Sequence, residues 1–138
     1  MISSIEVVNE IQLAVAPAFL LTSTGAILAV MANRLSRIVD RFRILNENDL
    51  KIESKESELK YLLMRARWTH WAIVLTTFAA LLLCIVIASI FVATEVGFSL
   101  DSFMEIFFSF AMFSLILGLL CFLREVQLSK NVIRLNKK

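Results

Sequence analysis

Three long stretches without a charged residue, at 11–32, 68–93 and 106–123, constrain this chain more than any other feature. A helix needs roughly 17–20 apolar residues to cross the hydrocarbon core of a bilayer, and each stretch reaches that length. Lipid offers backbone groups no hydrogen-bond partner, so only helices or closed barrels cross it. Apolar runs that are continuous, without alternation, select helices. Composition agrees: 59% of the 138 residues are hydrophobic and 19% charged, against about 45–50% and about 25% in soluble domains. Mean hydropathy is +0.79. A short chain in water has too much surface to hide such a load. A plain cytosolic enzyme, a disordered chain and a disulfide scaffold are thereby excluded.

Charge placement orients the spans. All 14 Lys and Arg fall in two segments, 33–67 and 124–138, and none lies before the first span or between the second and third. The positive-inside rule therefore predicts that both basic segments are cytoplasmic and the N-terminus lies outside. The opposite end carries Glu6, Glu10, Glu95, Asp101 and Glu105. Acids there keep outer loops wet; alternatively they form a negative mouth that concentrates cations. Residues 1–10 lack the positive region of a cleavable leader, and the apolar stretch before Ala14-Val15-Ala16 is too short for one, so the first span is expected to remain.

Ser3 with Glu6 forms a capping box, placing a helix start near Ser4, and Pro17 is expected to kink the helix that follows. Beyond residue 32 nothing breaks the helix before the polar Asn46-Glu47-Asn48-Asp49. Residues 50–67 read as helix again. Leu35, Ile38, Val39, Phe42 and Leu45 form an apolar face that Leu50, Leu59, Leu62 and Leu63 can answer, with Tyr61 at its edge. Gly97 marks the end of the second span, Ser102 with Glu105 caps the third, and 124–138 reads as an amphipathic extension. The expected fold is an all-α membrane protein forming one domain, 1–138. Its spans lie at about 11–32, 68–93 and 103–123, with a cytoplasmic helical hairpin over 33–67 and a cytoplasmic helical tail over 124–138.

Spans associate by close backbone approach, because lipid tails give no hydrophobic reward for pairing. Small residues recur every four positions: Ala14, Ala18, Thr22, Ala26 and, past the bilayer edge, Asn33 on span one, flanked by Gly25 and Ala29; Ala72, Thr76, Ala80, Cys84 and Ala88 on span two. Span three carries Ala111, Ser114, Gly118 and Cys121. These stripes are the expected seams, leaving Phe107, Phe108, Phe110 and Phe113 to face lipid or a neighbouring subunit. Three helices packed so closely leave no water path, so a pore requires several subunits around an axis.

Candidate chemistry is sparse. His70, between Trp68 and Trp71, reads as an interfacial contact, and one His without a nearby Cys is no metal site. Cys84 and Cys121 differ in depth by about 20 Å at helical rise, so they cannot pair and read as packing residues. No charged residue lies inside the three apolar stretches 11–32, 68–93 and 106–123, which argues against a proton-coupled transporter. No nucleophile–base pair, phosphate loop or metal cluster is present, so an enzyme and a bound cofactor are not expected. Basic residues that line a membrane edge do not suggest nucleic acid. Glu6, Glu10, Ala14, Ala18 and Thr22 share a helical face, and Glu6, Glu10, Thr22 and Glu105 are the pore or vestibule candidates. The inner boundary carries a charge layer of Asn33, Arg34, Arg37, Asp40, Arg41, Arg67, Arg124 and Glu125. There Glu125 is expected level with Arg34 and Arg67, and Asp40 with Lys60. Arginines contacting anionic headgroups explain the cations, but Asn33, Asp40 and Glu125 gain nothing from such headgroups, so the layer reads as a mixture of headgroup contacts and interlocking ion pairs that fix helix register.

Ala16-Pro17-Ala18-Phe19-Leu20-Leu21-Thr22, Asn33-Arg34-Leu35-Ser36-Arg37-Ile38-Val39-Asp40-Arg41 and Phe122-Leu123-Arg124-Glu125-Val126 resemble a family of small bacterial membrane proteins known only as a domain of unknown function. The resemblance covers nearly the whole chain and implies a bacterial inner-membrane location and three spans, but no activity, ligand or site. A looser similarity, in topology alone, is to proton-channel subunits of energy-transducing motors, which carry an intramembrane carboxylate that this chain lacks. Two functions are expected of such an object. One is a homo-oligomeric, cation-leaning pore. The other is a scaffold whose hairpin docks a cytoplasmic protein. Its expected surroundings are a bilayer with anionic lipid and further copies of itself.

Overall fold

The computed structural model describes residues 2–47, 52–96 and 101–135, with side chains over 7–47, 56–93 and 102–129. Everything described is helical: α1 spans Ile2–Glu47, α2 Ile52–Val96 and α3 Asp101–Leu135. Each is long and apolar enough to cross a membrane. With 46, 45 and 35 residues, the helices extend roughly 50–70 Å at 1.5 Å per residue, well beyond a hydrocarbon core of about 30 Å. The excess at the basic end is the continuous extension that the lack of breakers predicted. Helix α1 runs through Pro17 and begins at Ile2, ahead of the expected start. Side chains of the Ser3–Glu6 box lie outside the described residues. Helix α3 begins at Asp101, so Ser102 sits within its first turn, and α2 stops at Val96, just before Gly97, which also lies outside the described residues.

Helix α2 lies in the middle, packed against both others, while α1 and α3 barely meet. Only 17%, 33% and 17% of the most apolar windows of α1, α2 and α3 are buried within the protomer. Most of their surface needs an apolar solvent or another chain.

The buried positions follow a seven-residue period. On α1 they are Pro17, Thr24, Met31, Ile38 and Leu45; on α2 Leu62, Thr69, Thr76, Leu83 and Ile90; on α3 Ala111, Gly118 and Glu125. Half-buried or buried residues fill the intermediate steps, such as Leu21, Leu28 and Leu35 on α1. This is the repeat that lets helices stay in register along a left-handed crossing. It runs unbroken from the apolar spans into the basic extension, where Ile38, Leu45 and Leu62 cluster with Ala66. Val39 and Leu63, expected in that face, are instead half-exposed, at 51% each.

That period corrects the expected seams. Four residues turn a helix by about 400°, so a strict four-residue stripe drifts roughly 40° per step and leaves any straight neighbour. Ala14 of span one is buried, but Ala18, Thr22 and Ala26 are exposed. On span two Ala72 and Thr76 are buried, whereas Cys84 and Ala88 face outward, so Cys84 is not a packing residue. The short stripe of span three holds: Ala111, Ser114 and Gly118 are buried. A Cβ added to Gly118 would lie 2.6 Å from Thr76 Oγ1 and 3.3 Å from the Ala72 carbonyl oxygen, so glycine sets the approach of α3 to α2. Ser114 Oγ ties the same helices, donating to the Leu75 carbonyl at 2.8 Å. Phe110 and Phe113 face outward as expected, at 63% and 61% exposure. Phe107 and Phe108 pack instead on the core of Leu82, Leu83 and Ala111.

Candidate functional site

Charge concentrates at two ends of the bundle, and the two ends differ in how that charge is held. At the basic end the seam of α3 reaches Glu125 one heptad after Gly118. Its carboxylate is wholly buried, between Arg34 of α1 and Arg65 of α2. Arg34 Nη1 donates to Oε2 at 3.1 Å. Arg65 donates to Oε1 from Nε at 3.1 Å and from Nη2 at 2.6 Å. Each guanidinium also lies near an aromatic ring, Arg34 at 5.3 Å from the Phe122 centroid and Arg65 at 5.8 Å from that of Tyr61. Tyr61 in turn donates its hydroxyl to the Leu128 carbonyl. A buried carboxylate is tolerable because charge-assisted bonds from two helices replace its water. Glu125 thereby locks α3 to both other helices at one level.

Arg65, not Arg67, completes this clasp. Arg65 lies seven residues before the buried Ala72 and so on the seam. Arg67 is about 200° further round and faces outward. Counting back from Ala72 by sevens would have found Arg65. Elsewhere in the charge layer, Arg41 pairs with Glu58 through Nη2 at 2.9 Å. Asn33, Arg37, Asp40 and Arg124 are exposed. Arg67 instead borders a groove of about 710 Å³ on α2 and α3, lined also by Leu63, Met64, Trp68 and Trp71.

At the acidic end, Glu10 of α1 and Glu105 of α3 line one cleft of about 460 Å³ whose walls include Leu13, Val86, Ile90 and Phe108. Oε1 of Glu10 is buried there without a hydrogen-bond partner among the described residues. Thr22 is not part of this cleft. It is exposed on α1, its hydroxyl donating to the Ala18 carbonyl at 3.1 Å. The Glu6 side chain lies outside the described residues. Thus Glu10 and Glu105 line one cleft, and Thr22 stands apart on another face.

That other face is itself ordered. Ala18, Thr22, Gly25, Ala29, Ala32 and Ser36 alternate by three and four along α1, all small and all exposed. Nothing lies within 4 Å of a Cβ built on Gly25. It repeats the period of the internal seam with no helix against it among the described residues. Among the described residues no group of His, Cys, Asp and Glu is arranged to hold a metal ion.

A family model described as "Protein of unknown function (DUF2721)" matches residues 14–135. No curated protein and no solved structure matches.

Proposed function

We propose, for a chain that belongs to this family of unknown function, a homo-oligomeric inner-membrane pore that favours cations, with the basic end cytoplasmic and the N-terminus outside. The exposed small-residue seam on α1 carries the reading. Such a stripe lets backbones approach closely, and in lipid it contributes little unless another helix meets it. A protomer has no conduit of its own, so copies gathered through α1 would supply one. The cleft with Glu10 and Glu105 would sit at the outer mouth, where carboxylates raise the local concentration of cations.

Purified protein in planar bilayers should pass a cation-selective current. The Glu10→Gln/Glu105→Gln double variant should lower its selectivity. Silent bilayers at high protein density would overturn the reading. Gly25→Leu adds bulk into open space of the protomer, so it should leave the fold intact and dissolve the assembly, as read by particle mass in nanodiscs.

One observation favours a second reading. Leu63 and Met64 of the basic extension are 51% and 47% exposed, flanked by Lys60 and Arg67. An apolar strip with a basic rim suits an acidic amphipathic helix of a partner protein. Met64→Glu should then abolish recovery of a stoichiometric partner cross-linked in native membranes.

A further inference from the structure

The geometry points to a phosphate-binding site at the basic end, in the cleft where Arg34, Arg37 and Arg41 of α1 face Arg65 of α2 and Ser129 of α3. This cleft holds about 290 Å³, ample for a phosphate group. Three features make it more than a basic surface.

The first is convergence. Arg34, Arg37 and Arg41 are spaced by three and four, so they form one stripe on α1, and Arg65 meets them from another helix. The second is surplus charge. Glu125 and Glu58 are the only carboxylates that pair with these arginines among the described residues, which leaves four guanidiniums against two acids. Arg37 is exposed and has no ion pair among the described residues. The third is preorganisation. Glu125 fixes Arg34 and Arg65, and Glu58 fixes Arg41 through Nε and Nη2. Arg65 and Arg41 each keep Nη1 out of these bonds, and Arg34 keeps Nε and Nη2. The donors are held in place before an anion arrives, which reduces the ordering cost of binding. Planar guanidiniums match phosphate oxygens two at a time.

Depth adds to this. Arg34 lies two residues past the first apolar stretch, at the level of lipid phosphates, and Arg41 about 10 Å further out. A headgroup phosphate can enter from the bilayer side and a soluble phosphate from the aqueous side. The chemistry recognised is the same. The site is independent of conduction and stands whichever way the pore reading falls.

The test uses the full chain in maltoside micelles, which contain no phosphate, with the unfolding temperature followed by tryptophan fluorescence. One arm titrates inorganic phosphate against chloride at matched ionic strength. The other adds phosphatidylglycerol against diacylglycerol, which has the same acyl chains and no phosphate. Stabilisation in the first arm alone identifies a soluble phosphate, and in the second alone a lipid headgroup; either supports the site. Arg37→Gln, at an exposed side chain, should keep the fold and weaken the effective ligand about tenfold. Arg43→Gln removes an equal charge from α1 outside the cleft and should leave binding unchanged. No stabilisation in either arm, or equal weakening by both variants, would overturn the proposal.

Discussion

Glu125 and Glu10 occupy comparable places, each a carboxylate turned toward neighbouring helices at one end of the bundle, and their fates are opposite. Glu125 takes three hydrogen bonds from two arginines. Glu10 keeps a buried oxygen with no partner among the described residues. The difference comes from where the chain puts its cations. All 14 lie toward the basic end, so a seam acid there becomes a structural clasp. The same acid at the other end is left to whatever comes from outside the protomer.

The largest expected effect breaks the clasp. Glu125→Gln leaves two guanidiniums facing a neutral amide, and unfolding in micelles should come about 2–3 kcal/mol earlier. Isolated buried pairs lose about 3–5 kcal/mol, but Arg34 and Arg65 are 40% and 19% exposed and can turn to water. Glu10→Gln should be neutral or stabilising in the same assay, because a neutral amide suffers less from burial than an unpartnered carboxylate. A comparable loss from both variants would erase the contrast.

Next come the two glycines. Gly118→Ala meets Thr76 Oγ1 and the α2 backbone and should cost about 1–3 kcal/mol, as overpacking does. Gly25→Ala enters open space of the protomer and should raise stability, by up to about 1 kcal/mol through helix propensity. Smaller still is Arg65→Lys, which replaces a two-point grip by a point charge and should cost about 1 kcal/mol, against almost nothing for Arg67→Lys. The least effect belongs to Arg41–Glu58, whose side chains are 54% and 41% exposed. A double-mutant cycle there should give about 0.5 kcal/mol or less, fading with added salt.

Much of this architecture is readable in the chain. Uncharged runs and the lack of breakers between 33 and 45 give three long helices with extensions, and the segregation of cations gives two unlike ends. Glu125 stands out as an acid with no use for anionic lipid. The seam is harder to read, because small residues recur both every four positions and every three or four. Only the second pattern stays on one side of a helix. Following the first places Thr22 and Ala26 inside, where they are not. Matching Glu125 by depth alone points to Arg67, because depth does not tell which side of α2 faces the seam. Ala18, Gly25 and Ala29 were visible as small residues, but only the position of α2 reveals that their side of α1 is empty.

The seven-residue seam passes from the spans into the extension with no joint between them. The apolar and the basic lengths of each rod are therefore one piece. A torque applied beyond the lipid has no hinge in which to dissipate. Sliding one helix past another would demand a jump of a full turn, about 5.4 Å, and Glu125 is the latch that such a jump must first unfasten.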